Sequence, residues 1–453
     1  MSRPQSEAEY LARLVPPSVQ ALRTSRRAVL KGTLGAGAAL GGAGLLAACG
    51  GSESTATGGG TSGGSGGKTV SFGSNGSDEV PKKYIQAMMD AYQTKSGNTV
   101  KINTVDHNTF QENINTYMQG RPDDAFTWFA GYRMRFFAAK GLTGDLTDVW
   151  GKLTGFADGY KSASTGDDGK QYLVPYNYYP WAVFYRKSVF AEKGYTVPKT
   201  LDEMKALAAQ MQKDKLVPIA FADKDGWPAM GTFDVLNMRI NGYQFHIDLM
   251  AHKVSWADPK VKQVFSTWAE LLPAHQADPL GRTWQEAAQA VQQKKAGMYL
   301  LGLFVSEQFA KDEQDDLDFF TFPEIDSTVG SDALDAPIDG YMMSKKPSDE
   351  AATKDMLTWL GGKDAQTIIL QNAPGNLIPN SEVDTAGYSA LQKKAAELVG
   401  SAKNIAQFLD RDADPTFAST VMIPSLQSFL KNPKDIDGLT NSIESQAKSI
   451  YTT

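Results

Sequence analysis

The sequence predicts an α/β protein that forms two domains behind an export leader. Short apolar segments alternate with amphipathic ones after residue 68, which is the pattern of alternating strands and helices. About 385 residues follow the leader and its linker, more than the roughly 250–300 residues that one hydrophobic core usually serves. Because the chain has one cysteine, a packed core and not a disulfide framework must hold the fold together.

Residues 1–48 are predicted to be a twin-arginine lipoprotein signal peptide. Arg26 and Arg27 stand side by side before a weakly apolar run, residues 32–48, that is rich in Gly, Ala and Leu. The run ends in Leu-Ala-Ala followed by Cys49, which is typical of a lipid-attachment site. Its seventeen residues are fewer than the roughly 20 predominantly apolar residues that a membrane span needs. We therefore expect an extracytoplasmic protein, lipid-anchored to the cell membrane through Cys49.

Residues 49–67 are predicted to be a flexible tether. From residue 50 onwards they contain only Gly, Ser, Thr, one Ala and one Glu, a composition that cannot bury a core. The fold is therefore expected to begin near Lys68.

The charge balance argues against two classes of partner. The chain carries 45 basic and 51 acidic residues, and the part after residue 48 carries 39 and 49, a net charge of −10. Nucleic-acid-binding proteins and proteins that lie on anionic membranes present basic surfaces. We expect no nucleic acid partner, and a membrane contact only through the lipid anchor.

The local patterns predict several elements. Residues 69–72, 100–102 and 125–129 are expected to form the first three strands, with an amphipathic helix over residues 78–92. Helix starts are indicated by two capping-box patterns, Thr200 to Glu203 and Thr283 to Glu286, and by Asp258 before Pro259. Two tryptophans at apolar spacing on helices are expected in the core, and two histidines are expected to be solvated or structural; they are Trp268, Trp359, His246 and His252.

Four stretches resemble the extracellular solute-binding proteins of ABC importers, in the carbohydrate-binding family that includes maltose-binding protein. They occur in that family's order and cover nearly the whole chain after the tether. The stretches are PDDAFTWFAG at 122–131 with 139–146; GKQYLVP at 169–175 with FYRK at 184–187 and PKTLDE at 198–203; AAQAVQQKKAGMYLLG at 287–302; and APIDGY at 336–341 with APGNLIP at 373–379.

The resemblance implies a two-lobed, periplasmic-binding-protein-like fold of type II, with discontinuous lobes joined by hinge strands. The N-terminal lobe is expected to comprise residues 68–175 plus 302–342, and the C-terminal lobe residues 176–301 plus 343–453. The crossings are expected near residues 174–177, 301–304 and 341–343. It also implies a monomer without a cofactor, which captures a neutral mono- or oligosaccharide and delivers it to the permease subunits of an ABC transporter.

The residues themselves favour a sugar site. Aromatics make up 10% of the chain, and several lie in loops beside Pro or Gly: Tyr176, Tyr178, Tyr179, Trp181 and Trp227. A pyranose has an apolar C–H face and a belt of hydroxyls, so its site needs aromatic platforms flanked by carboxylates, amides and imidazoles.

Ten ligand-binding residues are predicted from their positions in the family pattern, with ordinary packing in the core or between the lobes as the alternative for each aromatic. The expected platforms are Trp128, Tyr178, Trp227 and Phe304. The expected hydrogen-bonding residues are His107, Asn108, Asp339, Asn376, Arg411 and Asp412. We predict no catalytic residue and no metal ligand.

Three other functions are left open. A phosphorylated or zwitterionic solute of the glycerophosphodiester type would need a basic cluster, for which the stretches offer Arg133, Arg135 and Arg411. A ferric ion could be held by adjacent phenolates such as Tyr178 and Tyr179. A secreted glycoside hydrolase would need two carboxylates about 5–10 Å apart, and the sequence singles out no such pair.

Overall fold

The computed structural model describes residues 67–373 and 375–451. The predicted signal peptide, Arg26, Arg27 and the lipid-attachment residue Cys49 lie outside the described residues, as does the predicted tether apart from the exposed Gly67. Within the described ranges, no helix is long and apolar enough to cross a membrane.

The strands form two larger sheets and one short pair. In chain order they are β1 (Thr69–Ser74), β2 (Thr99–Thr104), β3 (Ala125–Phe129), β4 (Val174–Tyr178), β5 (Trp181–Arg186), β6 (Val217–Ala220), β7 (Ala296–Gly302), β8 (Leu317–Phe320), β9 (Ala333–Asp335), β10 (Ile338–Met343) and β11 (Asn404–Ala406). The five-stranded sheet has the order β2-β1-β3-β10-β4, the four-stranded sheet has the order β6-β7-β5-β8, and β9 pairs with β11.

The helices cover the faces of these sheets. In chain order they are Glu79–Ser96, His107–Glu112, Ile114–Gln119, Tyr132–Ala139, Thr147–Trp150, Asp158–Ala163, Lys187–Lys193, Leu201–Lys213, Pro228–Asn241, Tyr243–Met250, Pro259–Leu271, Trp284–Gln292, Glu350–Gly361, Lys363–Asn372, Ala390–Ser401, Leu409–Asp412, Pro415–Phe417, Ile423–Lys431 and Ile436–Ile450.

The five-stranded sheet organises the first lobe. β1 is parallel to β2 and β3, whereas β10 runs antiparallel between β3 and β4. Every residue of β3 and β10 is buried, as expected for central strands that are covered on both faces. One hydrophobic cluster includes Met88 and Met356 from covering helices, and another includes Phe110 and Phe137.

The four-stranded sheet organises the second lobe. β7 is parallel to β6, and β5 is antiparallel to both β7 and β8. Its strands share one large hydrophobic cluster with the helices that pack on it, including Pro228–Asn241 and Pro259–Leu271. Because each lobe has its own core, the α/β class and the two-lobed arrangement predicted from the sequence are confirmed.

Most of the predicted local elements are present. The first three strands and the first helix lie at the predicted positions, with bounds that differ by a few residues. Thr283 and Glu286 form a complete capping box. Thr200 caps its helix, but Glu203 accepts from the N–H of Lys199 and not from that of the cap residue. Trp268 is fully buried, and Trp359 is partly buried against the core of the first lobe.

The sheets divide the chain differently from the predicted lobe boundaries in two places. β8 pairs with β5, so residues 317–320 belong with the second sheet although they fall in the predicted segment 302–342. The helices Glu350–Gly361 and Lys363–Asn372 contribute Met356, Leu357, Leu360 and Ile369 to a core of the first lobe, although they fall in the predicted segment 343–453. We therefore propose lobe boundaries that follow the sheets.

With these proposed boundaries, the crossings between the lobes also move from their predicted positions. The first lies at residues 179–180, between β4 and β5, just after the predicted 174–177. The second lies at residues 336–337, between β9 and β10, and not at 301–304, because the chain stays with the second sheet through β8. The third lies after the helix Lys363–Asn372, because β10 and the two helices that follow it remain with the first lobe.

Candidate functional site

A cavity of about 280 Å³ lies between the two lobes. On the first lobe it is lined by residues that follow β1 and β2, such as Asp78 and His107, and by Phe129 at the end of β3. On the second lobe it is lined by Trp227 after β6 and Phe304 after β7. In open α/β sheets, ligands bind outside the carboxyl ends of the strands, so the fold places these side chains where a ligand is expected.

The structure brings seven of the ten predicted ligand-binding residues together around this cavity. They are His107, Asn108, Trp227, Phe304, Asp339, Asn376 and Arg411. They come from both lobes, so a ligand in the cavity would contact both.

Aromatic rings form one wall of the cavity. The ring of Phe304 meets those of Tyr179, Trp227 and Trp284 edge to face, with centroids 5.3, 6.0 and 5.1 Å apart. The ring centroid of Trp181 lies 6.3 Å from that of Trp227 and 4.9 Å from that of Phe408, so the aromatic wall extends to Phe408. This wall offers flat apolar surfaces of the kind that a sugar ring packs against.

Arg411 lines the cavity and is held by two hydrogen bonds and a cation–π contact. Its Nη1 donates to Asp339 Oδ1 at 2.8 Å, and its Nη2 donates to the hydroxyl oxygen of Tyr179 at 2.9 Å. Its guanidinium also lies 4.1 Å from the centre of the Phe129 ring. Asn177 donates to the other oxygen of Asp339 at 3.2 Å. Burial raises the pKa of Asp339 even though Arg411 acts in the opposite direction.

Several buried polar atoms of the lining have no hydrogen-bond partner among the described residues. They are Asn75 Nδ2, Asn177 Oδ1, Asn376 Nδ2, Asp410 Oδ1 and Arg411 Nε. A buried polar group without a partner costs about 1–3 kcal/mol, so native proteins pair such groups. The mixture of amide and guanidinium donors with amide and carboxylate acceptors suits a ligand rich in hydroxyls, which both donate and accept.

Two titratable side chains of the lining are shifted toward their neutral forms. Burial lowers the pKa of His107, whose Nε2 lies 2.8 Å from Gln111 Nε2. Burial and the nearby Asp78 raise the pKa of Glu307 to about 8. At neutral pH, His107 is therefore expected to be uncharged and Glu307 to be protonated, so each can both donate and accept a hydrogen bond.

Three of the predicted residues do not line the cavity. Trp128 is 1% exposed in the core of the first lobe, where it packs against Phe110, Phe129 and Phe137. Tyr178 packs against Tyr160, with ring centroids 5.6 Å apart. The Asp412 carboxylate accepts from the N–H of Gln407 at 3.0 Å and so shapes the turn that carries Arg411. The structure therefore does not bring these three residues together with the other seven around the cavity.

The ten predicted ligand-binding residues leave out several lining residues, although the sequence already marks Tyr179 and Trp181 as aromatics beside a proline. The main ones are Phe129, Tyr179, Trp181, Trp284, Glu307 and Asp410. Two of them, Phe129 and Tyr179, stand one position after residues that were predicted in their place. Trp284 could have been found, because it directly follows the N-cap Thr283 of a helix that begins at the cleft. Nothing in the local sequence marks Glu307 or Asp410.

The remaining predicted histidines and cations lie elsewhere. His246 is buried with its Nδ1 3.1 Å from Asn237 Nδ2, and His252 Nε2 lies 3.3 Å from Glu444 Oε2. Arg133 pairs with Asp410 at 3.2 Å behind the cavity, and Arg135 faces Asp167 at 3.9 Å. Within the described part of the chain, no group of three or more His, Cys, Asp or Glu could hold a metal ion.

Comparison with known proteins gives a family match over most of the chain. Residues 87–398 match the model of the bacterial extracellular solute-binding proteins. An uncharacterised ABC transporter extracellular-binding protein of Pyrococcus horikoshii is 24% identical over 327 residues, which cover 70% of each chain. The alpha-glucosides-binding periplasmic protein AglE of Rhizobium meliloti is 28% identical over 200 residues, 41% of this chain and 43% of AglE.

Solved structures are similar over the two lobes. The bacterial solute receptor AcbH, described as having an exclusive preference for β-D-galactopyranose, superposes with a TM-score of 0.82 at 47% identity, covering 85% of this chain and all of AcbH. The maltose-bound MalE3 of T. maritima superposes with a TM-score of 0.69 at 16% identity, covering 84% of this chain and 99% of MalE3. The second likeness supports the fold alone.

Proposed function

The chain belongs to the family of bacterial extracellular solute-binding proteins, and on that premise we propose that it captures one neutral sugar ring between its lobes for uptake by an ABC transporter. The observation that carries this proposal is the composition of the cavity. An aromatic wall that includes Trp227 and Phe304 lines the same space as residues with buried polar atoms that have no hydrogen-bond partner among the described residues, such as Asn376, Asp410 and Arg411. The wall suits the C–H face of a pyranose, and the polar atoms suit its hydroxyls.

The size of the cavity supports a single ring. Its volume of about 280 Å³ lies just below the roughly 300–1,000 Å³ that is typical of small-molecule sites. AcbH, which is described as preferring β-D-galactopyranose, is 47% identical to this chain over both lobes. We therefore propose a hexopyranose as the ligand and D-galactose as the first sugar to test.

The charges of the cavity argue against an anionic solute. Among the described residues that line it, Arg411 is the only Lys or Arg, and Asp339 already neutralises it. Six carboxyl groups line the same space: Asp78, Asp106, Asp225, Glu307, Asp339 and Asp410. Even with Glu307 protonated, acidic groups outnumber basic ones in this space, so a phosphodiester would lack the basic cluster that phosphate recognition needs.

The tyrosine pair is poorly suited to a ferric ion. Burial raises the pKa of both Tyr178 and Tyr179, so neither phenolate forms readily. The Tyr179 hydroxyl oxygen also accepts from Arg411, and only Tyr179 of the two lines the cavity. We propose a protonated Tyr179 that orients Arg411 toward the ligand.

We propose that the sugar is released chemically unchanged. The family consists of binding components of transporters, and the inference of a binding role follows from that membership. An assay for new reducing ends with oligosaccharides is expected to show no activity above the buffer control. Release of reducing ends by the protein, abolished by Glu307→Gln, would instead support a hydrolase.

Anchoring and delivery complete the proposal. The twin-arginine leader and the Leu-Ala-Ala-Cys49 pattern support export and lipid attachment. In cells fed labelled palmitate, the wild-type protein is expected to carry label in the membrane fraction. A Cys49→Ala variant is expected to lose the label, and persistence of the label in that variant would refute attachment at Cys49.

A thermal-shift screen tests the choice of ligand. A ligand that binds only the folded protein stabilises it by RT ln(1 + [L]/Kd), so one class of hexoses should raise the Tm at millimolar concentration. A glycerophosphodiester and ferric citrate serve as rivals in the same plate. The proposal fails if a rival raises the Tm and no sugar does.

A further inference from the structure

A hydrogen bond between the lobes lies in the wall that separates the main cavity from a smaller one. Asn108 Nδ2, on a helix of the first lobe, donates to Asp225 Oδ1, in a loop of the second lobe, at 3.1 Å. A side cavity of about 30 Å³ adjoins the main cavity of about 280 Å³. Both bonded residues line both spaces, together with Gln111, Trp227 and Asp410.

The side cavity has polar atoms that a ligand could use. Arg133, with 2% of its side chain exposed, leaves its Nε without a hydrogen-bond partner among the described residues. Its Nη1 already donates to Gln111 Oε1 at 2.7 Å and to Asp410 Oδ2 at 3.2 Å. Asp410 Oδ1 also has no hydrogen-bond partner among the described residues, and it lies 3.9 Å from Arg411 Nε. Arg133 and Asp410, each with a buried atom that lacks a hydrogen-bond partner, thus both line the side cavity.

The volume of the side cavity limits what it can hold. A cavity needs about 10–15 Å³ of such volume to hold one water molecule. About 30 Å³ therefore has room for a group the size of a hydroxyl or a methoxy, and not for a second sugar ring.

We infer that the Asn108–Asp225 hydrogen bond determines specificity by restricting the site to an unsubstituted sugar ring, and that breaking it opens the side cavity to an O-linked substituent of that ring. This inference rests on the proposed sugar-binding function. With the bond in place, a substituent that points toward the side cavity collides with the side chains of Asn108 and Asp225. Without the bond, the substituent enters a space that already carries the Arg133 and Asp410 groups.

A second hydrogen bond between the lobes provides a matched control. Gln285 Nε2 donates to Asp78 Oδ1 at 3.3 Å, and both residues line the main cavity but not the side cavity. Breaking this bond also removes a contact between lobes and also enlarges the main cavity. If the closed state becomes less populated, the binding of every ligand weakens by the same factor. The ratio of the affinities for two ligands therefore does not depend on how populated the closed state is.

The test compares affinity ratios in four proteins: wild type, Asn108→Ala, Asp225→Ala and Gln285→Ala. Each is titrated calorimetrically with the hexose that gives the largest thermal shift and with its α-methyl, β-methyl and 6-O-methyl derivatives. The wild type should bind the parent hexose best. In Asn108→Ala and in Asp225→Ala, the same methylated sugar should gain roughly tenfold relative to the parent, a typical effect of one methyl-sized group. In Gln285→Ala, all four sugars should weaken together.

The outcomes separate this inference from the proposed function. If the wild type binds no sugar, the proposed function fails, and this inference fails with it. If the wild type binds the hexose but neither Asn108→Ala nor Asp225→Ala changes the ratio of affinities for the methylated and parent hexoses, only this inference is overturned. A gain of the same size in Gln285→Ala would also overturn it, because any enlargement of the cavity would then suffice. Circular dichroism and Tm values confirm that each variant is folded.

Discussion

At the scale of single residues, Trp227 has the clearest position in the proposed site. Its indole is half-buried between Trp181 and Phe304, with centroids 6.3 and 6.0 Å away, and it lines the cavity. It directly follows Gly226, which adopts a positive φ of 79°. The loop thus places a large, partly buried ring at the cavity and against the core of the second lobe.

Trp227→Ala is expected to weaken sugar binding while leaving the protein folded. Truncation of a central aromatic contact costs about 2 kcal/mol or more, which is roughly 30-fold in Kd. Calorimetric titration of the folded variant measures this loss. If the variant unfolds, or if its Kd is unchanged, Trp227 is a structural residue and does not contribute to sugar binding.

Trp128→Ala should behave in the opposite way. Trp128 is 1% exposed and packs against three aromatic rings and the Arg133 guanidinium, 4.8 Å from its ring centre. Loss of such a core side chain destabilises a protein by about 3–5 kcal/mol. Urea denaturation should show this loss, and where the variant remains folded its Kd should stay near that of the wild type. A variant of wild-type stability with a large loss of affinity would contradict the placement of Trp128 in the core.

Glu307 should give the stability of the protein a specific pH dependence. Its pKa is raised from an ordinary value of 4.5 to about 8 by burial and by Asp78, so the folded state holds a proton that the unfolded state releases. The contribution of a raised carboxyl is complete below pH 4.5 and is lost as the pH rises toward about 8. Glu307→Gln mimics the protonated form at every pH, so the two proteins should be similar in stability near pH 4.5, and the wild type should become progressively less stable than the variant as the pH rises toward about 8. Denaturation curves at several pH values test this, and parallel pH profiles of the two proteins would contradict it.

The residues show how far sequence reasoning reaches at this scale. Loop position beside Gly226 and Pro228 was enough to identify Trp227 as a lining candidate. Sequence position could not decide between Tyr178 and Tyr179, or between Trp128 and Phe129. Successive side chains of a strand point in different directions, and residues of both lobes together determine which of them line the cleft. Glu307 and Asp410 reach the cavity only through tertiary packing, so no local pattern could have marked them.

At the scale of secondary structure, the helix Pro228–Asn241 supports the aromatic wall. A Cβ atom at Gly231 would collide with the indole of Trp181, which lines the cavity. The glycine therefore lets the helix approach this ring closely.

Gly231→Ala is expected to reduce both stability and affinity. Overpacking of a core contact costs about 1–3 kcal/mol, which outweighs the roughly 1 kcal/mol by which Ala exceeds Gly in helix propensity. Because Trp181 must move, Kd for the sugar should rise. Gly400→Ala is the control, since a Cβ there meets open space and the change should be neutral or slightly stabilising. Equal effects of the two substitutions on stability and Kd would contradict this account.

Elements with strong local signals could be predicted, and connections between lobes could not. The capping box of Thr283 and Glu286 fixes the start of the helix that carries Trp284 into the cleft, and it is readable from four residues. The pairing of β8 with β5 and the packing of the helices Glu350–Gly361 and Lys363–Asn372 on the first lobe join segments that are far apart in the chain, and they place two of the three proposed crossings away from their predicted positions. Such pairing depends on long-range contacts that local periodicity does not encode.

At the scale of the whole molecule, two lobes with separate cores face each other across one cavity. A ligand drives closure only through the contacts that it makes in the closed state, and here those contacts come from both lobes. Asn108–Asp225 and Asp78–Gln285 are bonds that exist only while the lobes are together.

Sugar is therefore expected to make the protein more compact. Small-angle X-ray scattering should show a smaller radius of gyration with saturating hexose than without it. Trp227→Ala at the same sugar concentration should show a smaller change, because less of it is bound. An increase in radius of gyration upon binding would contradict closure around the ligand.

The most direct test of the central claim is a calorimetric titration of the purified protein with D-galactose and a panel of other hexoses. The account predicts saturable binding of at least one hexose at one site per chain, with a negative heat-capacity change as the aromatic wall becomes covered. The absence of binding by every hexose at millimolar concentration, together with binding of a glycerophosphodiester or ferric ion, would contradict it.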